Sequence, residues 1–396
     1  MRNHDLSKDT VMLYSGGISE GDSLHPESPP IYNTSAFFME DLTTLRDTDA
    51  RGGYSYGRGT NPTRDLLRQA ITEAEGTAND DTLVFSAGMG AISATLLTFA
   101  KAGGHVVANK NLYGETIDFL NNYLTEFGVE TTYVDFRDPD EVRKSMRPNT
   151  KIVYSEVISN PLTYVIDVAA IARTAHEGGA VFCIDSTFTT PFVMKPLESG
   201  ADVCLHSLTK YFNGHSDTFG GSATARKELI AKIRPVMLLL GNSLDPHNSW
   251  MILRGMRTMP LRIRKQMENA NKLAAFLESN PRVLRVNHPS LTAHPQHEIA
   301  KKQFYDGYNG AILSFSVADD FKLLDMFMRT LRFVKYLPTL GGYRTTLSHP
   351  VSSSHQDVPE SVRLKMGIHD GMIRISVGCE EIADLTADFE EALKVF

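Results

Sequence analysis

Cysteine is scarce in these 396 residues: Cys183, Cys204 and Cys379 are the full set, each in an apolar run and without metal-ligand spacing. That excludes a disulfide scaffold and is expected of buried free thiols in a reducing cytoplasm. No apolar stretch is long enough to span a bilayer. The start, MRNHDLSKDT, lacks the apolar core and small-residue cleavage site of a secretory leader. Positive charge is short as well. Lys and Arg total 40 against 47 Asp and Glu, a net charge of -7 without a basic stripe, which argues against a nucleic-acid partner. Internal repeats and low-complexity tracts are missing. The scattered histidines, among them His215, His349 and His355, have no ligand spacing, so no metal is expected.

What is present is an ordinary globular composition, 42% hydrophobic and 22% charged, on a chain long enough for one large and one smaller domain. Residues 1–60 read as an extended arm, broken by Pro26, Pro29, Pro30 and the glycines from Gly52 to Gly59. From there to about 255 the pattern is α/β. Helices are predicted over 64–75, 89–99, 115–127 and 168–177, and apolar strands over 82–86, 105–108, 130–134, 151–156, 180–184 and 203–206. Apolar strands alternating with helices imply a large, mostly parallel sheet covered on both faces. A helix-rich stretch over 247–280 leads into a smaller C-terminal α+β domain, 256–396. That domain has strands over 311–317 and 372–377, a helix after Asp319 and a final helix from Glu381. Functional residues are expected beyond the carboxyl ends of the large sheet's strands.

One such place is unusually informative. His206-Ser207-Leu208-Thr209-Lys210 follows the apolar run 201–205, and Asp185 closes the apolar run 180–184. Most lysines are solvated surface groups, but one ending a buried strand between two hydroxyls can form a Schiff base, and enclosure makes its amine nucleophilic. A carboxylate such as Asp185 keeps a pyridine nitrogen protonated and the ring an electron sink; its plainer role would be a helix cap. The turn Ser86-Ala87-Gly88-Met89-Gly90 joins a strand to a helix, so the amides around Gly88 and Met89 suit a phosphate, with Ser207 and Thr209 completing the cup. It is neither a Rossmann fingerprint nor a Walker motif. Together these residues point to pyridoxal 5'-phosphate (PLP).

The spaced motifs Tyr56-Gly57-Arg58-Gly59-Thr60-Asn61-Pro62-Thr63, Leu112-Tyr113-Gly114, Ser159-Asn160-Pro161, Asp185-Ser186-Thr187-Phe188, Ser207-Leu208-Thr209-Lys210-Tyr211 and Arg374-Ile375-Ser376-Val377-Gly378 extend the case nearly end to end. In that order the chain resembles the cysteine/methionine-metabolism family of PLP enzymes. The family includes cystathionine and methionine γ-lyases, cystathionine γ-synthase and O-acetylhomoserine sulfhydrylase. The resemblance implies the type I fold of PLP-dependent transferases. Lys210 would hold the cofactor and shuttle protons, while Tyr113 would stack on the ring and assist the leaving group. Arg374 would clamp the substrate carboxylate, with Asn160 and Thr339 nearby. Tyr56 and Arg58 would reach the phosphate of a neighbouring subunit, making a dimer the active unit and a homotetramer the full assembly.

The expected pocket is nearest to that of methionine γ-lyase, with departures. No arginine follows the Tyr113-Gly114 pair, whereas cystathionine enzymes usually carry one there. Glu115 stands where methionine γ-lyases have a cysteine, and Arg344 where cystathionine enzymes often have glutamate. Ser186 replaces a common asparagine, and Ala87 a common serine. Glu115 could read a basic leaving group such as that of canavanine, or pair with Arg344, or face water. The expectation is γ-elimination from a homocysteine- or homoserine-type amino acid, with γ-replacement or cystathionine lysis as alternatives.

Overall fold

The computed structural model describes residues 7–16, 26–356 and 358–396. The first six residues and 17–25 of the expected arm therefore lie outside the described residues. The rest of that arm is not wholly extended. Short helices form at Lys8–Tyr14 and Leu42–Ala50, because Ser7 and Asp41 place side-chain oxygens on the amides of Thr10 and Thr44.

Seven strands build the large sheet: β1 (Asp80–Phe85), β2 (His105–Asn109), β3 (Glu130–Val134), β4 (Thr150–Glu156), β5 (Val181–Asp185), β6 (Val203–Ser207) and β7 (Gly221–Arg226). Their order is β1-β7-β6-β5-β4-β2-β3. β2 to β6 pair in parallel, and β7 pairs antiparallel with both β6 and β1. So β7 alone runs against the others. Its sequence, GSATAR, has no bulky apolar run, which hid it from pattern reading; the following helix, Lys227–Leu239, was hidden by Pro235 inside it. Along the central strands alternate residues enter opposite cores. Val106, Ala108, Ile152 and Tyr154 face one, and Val107 and Val153 the other. Covering on both faces is what makes these strands read as continuous apolar runs.

The second sheet contains β8 (Arg285–Asn287), β9 (Ile312–Ser316), β10 (Lys335–Tyr336), β11 (Thr346–Ser348) and β12 (Met372–Ser376), in the order β10-β11-β12-β9-β8. β8, β10 and β11 have two or three residues each, too few for a periodic signal. Between the sheets the helical stretch breaks at Thr258 into Pro246–Arg257 and Met259–Ser279. Ile263, Ala270 and Leu277 of the longer helix join the same core as Val107 of the large sheet, Phe315 of the small one and Phe389 of the final helix, Ile382–Leu393. The fold is thus the α/β architecture expected, a mostly parallel large sheet beside a smaller sheet region, with helices on their faces.

Cys183 and Cys204 are buried free thiols, whereas Cys379 is half-buried. Several histidines are also buried, and for His288, His294 and His355 burial pushes the pKa down to about 4. The unfolded chain keeps the ordinary value near 6.5, so it binds more protons than the native state between those limits. The stability these residues contribute is complete above about pH 6.5 and is lost as pH falls towards 4. Each accounts for at most ~3 kcal/mol. Denaturant midpoints measured from pH 7 to 4 should fall steeply, and His288→Asn, if folded, should flatten the slope.

Candidate active site

All the chemistry-bearing turns gather at the carboxyl ends of the large sheet's strands, as a parallel sheet dictates. Helix Gly88–Phe99 starts just beyond β1, Tyr113 follows β2, Asn160 follows β4, Asp185 ends β5, and Lys210 lies three residues past β6. They line one cavity of about 1330 Å³ with Gly88, Met89, Glu115, Ser207, Thr209 and Arg374.

Lys210 sits in a turn whose carbonyls are held from behind. Arg262, buried on helix Met259–Ser279, donates from Nη1 to Tyr211 O at 3.0 Å and from Nη2 to Gly255 O at 2.8 Å. The lysine Nζ donates to Thr339 Oγ1 at 3.4 Å. Burial, then the nearby charge of Arg374, lowers its pKa to about 8. That brings a larger fraction of free amine at neutral pH than an exposed lysine offers.

Asp185 accepts the Thr187 amide on Oδ1 at 2.8 Å. Burial raises its pKa, opposed by the Thr187 bonds and the charge of His206. Arg374 lies on β12, where Ile373 and Ile375 enter the core and turn the guanidinium to the opposite face. It donates to Asn160 Oδ1 at 3.2 Å and Thr339 O at 3.1 Å, while its buried Nε has no partner. Thr339 does not itself line the cavity; its part is to hold Lys210 and Arg374. Tyr113 is partly exposed on the wall, and burial followed by the charges of Glu115 and Glu156 raises its phenol pKa.

These residues fit pyridoxal phosphate. Ala87 gives helix Gly88–Phe99 no side-chain cap, which leaves first-turn amides for an anion. A Cβ at Gly88 would come within 2.8 Å of Ser207 Cβ, so glycine lets the helix start approach β6. An acid raised by burial, Asp185, suits a cationic ring nitrogen, and the unpartnered Nε of Arg374 suits a carboxylate.

Other expectations separate. Tyr56 and Arg58 are outside this protomer's cavity; Arg58 donates instead to Leu238 O at 2.7 Å. Glu115 is exposed on the cavity wall and makes no ion pair among the described residues, while Arg344 lies over the Tyr343 ring, off that wall. Of the three roles open to Glu115, pairing with Arg344 is not made among the described residues. The single helix expected over 115–127 is an α-turn, Gly114–Asp118, widened into a π-helical segment, Phe119–Leu124, which carries the cavity-lining Asn121 and Asn122.

Sequence spacing missed Glu156, which lines the cavity from the end of β4, and Thr187, whose Oγ1 accepts the Ser207 amide at 2.8 Å. It also missed a closed cluster behind the site. His206 bonds Glu75 at 3.0 Å and Cys204 bonds Glu75 at 3.1 Å, all three buried. Glu75 is 131 residues from His206, so no local motif could show it.

Comparison with known proteins agrees with this geometry. The pattern of the Cys/Met metabolism PLP-dependent enzymes matches residues 9–394. The chain is 39% identical over 370 residues to L-methionine gamma-lyase of Fusobacterium nucleatum subsp. polymorphum, covering 92% of this chain and 93% of that one. It is 38% identical over 390 residues to cystathionine gamma-lyase of Bacillus subtilis (strain 168), covering 98% and 100%. Among solved structures, cystathionine gamma synthase from Xanthomonas oryzae pv. oryzae superposes with a TM-score of 0.92 at 32% identity, covering 98% of each chain.

Proposed function

The chain belongs to the Cys/Met metabolism PLP-dependent enzymes, and from that premise we propose that it catalyses γ-elimination from a homocysteine- or homoserine-type L-amino acid. The products would be 2-oxobutanoate, ammonia and the leaving group. The cofactor is pyridoxal 5'-phosphate, and the chain is an enzyme of the carbon–sulfur lyase kind. When bound, the cofactor supplies an electron sink that weakens the bonds at the substrate's Cα.

The residues divide the remaining work. Lys210, with its lowered pKa, would tether the cofactor and, once released from it, move protons at Cα and Cβ of the substrate. Asp185 would keep the ring nitrogen charged, and Gly88, Met89, Ser207 and Thr209 would hold the phosphate. Arg374 orients the substrate carboxylate beside Asn160. Tyr113, its phenol kept protonated, is placed to donate to the group leaving Cγ. Tyr56 and Arg58, free of their own cavity, would complete the site of a second protomer in a dimer, with a tetramer as the full assembly. Exposed Phe38, Leu42, Leu239 and Leu261 offer apolar surface for such contacts.

The substrate reading rests on one observation: Glu115 lines the cavity wall without an ion pair, and Arg374 is the cavity's one arginine among the described residues. A second substrate carboxylate, as in cystathionine, lacks an arginine to meet it; of the wall lysines other than Lys210, Lys110 is spent on Asp135 at 3.0 Å, and Lys365, on the short helix Glu360–Met366, has no ion pair among the described residues. An acid there favours a basic or polar leaving group, such as the one canavanine carries, over the S-methyl of methionine. Glu115→Gln should lower kcat/KM for canavanine about tenfold or more and leave methionine turnover within a factor of about two. The first test is incubation of the loaded enzyme with methionine, homocysteine, cystathionine, O-acetylhomoserine and canavanine, each with and without sulfide. Release of 2-oxobutanoate without sulfide supports elimination. Product only with sulfide makes the enzyme a γ-replacement catalyst instead.

A further inference from the structure

Glu156 ends β4 directly opposite Asp185 on β5, so two carboxyls stand side by side at the cavity. Burial, then the charge of Asp185, pushes Glu156 well up; the backbone amides of Tyr113 and Asn160 pull the other way. The Tyr113 N–H donates to Glu156 Oε1 at 2.6 Å. Both amides belong to buried loops beyond strand ends, where an unpaired N–H is costly. A leucine would fill this place without the penalty of burying an acid. What the acid adds is a hydrogen-bonded tie from the Tyr113 loop to the end of β4, four residues before Asn160 on the other loop, so that one carboxyl links two loops carrying separate parts of the site.

We propose that Glu156 is a positioning residue that uses one carboxyl to set Tyr113 and Asn160 relative to each other. One loop follows β2 and carries the ring of Tyr113. The other follows β4 and carries Asn160, whose Oδ1 fixes the Arg374 guanidinium. The Tyr113 loop has a second anchor upstream, where Asn109 Oδ1 accepts the Asn111 amide at 3.2 Å and Asn109 Nδ2 donates to Ser155 Oγ at 3.0 Å. Without Glu156 the loop would therefore keep its path to Asn111 and lose its hold at Tyr113. The inference rests on the roles given above to Tyr113 and Asn160.

The test compares wild-type holoenzyme with Glu156→Leu and Glu156→Gln by residue-resolved amide exchange and steady-state kinetics, with Tyr113→Phe and Asn160→Ala as references. Glu156→Leu should speed exchange at Tyr113 and Asn160, not at Asn111. It should lower kcat and raise KM together, for about a 100-fold loss in kcat/KM. Glu156→Gln keeps one carbonyl oxygen, so one of the two amides should stay protected and the loss should be about three- to tenfold. Unchanged exchange at both amides in either variant overturns the proposal, and so does faster exchange with kcat/KM within twofold. If Glu156→Leu does not fold, Glu156→Gln decides by the same criteria. Failure of the underlying reading looks different: Tyr113→Phe and Asn160→Ala would then leave the kinetics unchanged while the amides still respond to Glu156.

Discussion

Lys210→Ala should lower turnover at saturating substrate by roughly 10³–10⁴-fold, because the tether and the proton carrier are lost in one change. The fold should survive: the Lys210 side chain has one hydrogen bond, the long one to Thr339, whereas its turn is held by Arg262 through the carbonyls of Tyr211 and Phe212. Kinetics measured alongside the melting temperature would separate the two effects. Dialysis would then read the tether, since the variant should lose cofactor and its visible absorbance while wild type keeps both. Added small amines should restore part of the proton transfer without restoring retention. A variant that retained turnover within tenfold would remove Lys210 from the chemistry.

Arg374→Leu should cost about 100-fold or more in kcat/KM for any α-amino acid, chiefly through KM. The guanidinium is buried, pinned by Asn160 and Thr339, and carries an unpartnered Nε, so it is organised before a carboxylate arrives. Burial lowers its pKa to about 10, which leaves it charged throughout the neutral range. Arg374→Lys should recover little, because an ammonium cannot present the same planar fork. The decisive comparison is a substrate analogue whose carboxylate is replaced by an amide. Wild type and variant should then differ by only a few-fold, and a persistent large difference would show that Arg374 acts on something other than that group.

Much of the site was legible because its residues punctuate strand ends. Asp185 and Lys210 each follow an apolar run, and Gly88 opens a helix after another, so sequence order alone placed them at one edge of a parallel sheet. Tyr113, Asn160, Arg374 and Thr339 came from resemblance rather than pattern, since their neighbours carry no periodic signal. Glu156 was readable as a strand residue but not as an anchor: its partner, the Tyr113 amide, is 43 positions away, and backbone groups leave no mark in a sequence. The same holds for β7, whose small residues look like a loop until β1 and β6 are seen on either side. The π-helical segment Phe119–Leu124 was also out of reach, because a single six-residue turn is too short to show a period of its own. The domain limits and the subunit contacts remain proposals on the same footing as the substrate.

Lys210 stands in the turn after β6 of the large sheet and Arg374 on β12, the central strand of the small one, with helix Met259–Ser279 packed against both through Arg262 and the shared core. The span between amine and guanidinium is therefore a gauge block set by how two bodies seat on each other, not by the shape of one loop. An amino acid with an extra methylene between its nitrogen and its carboxylate would overrun that gauge at one end. A preference for α- over β-amino acids would thus follow from how the two sheets seat on each other, and changes along a helix that lies off the cavity wall should alter it.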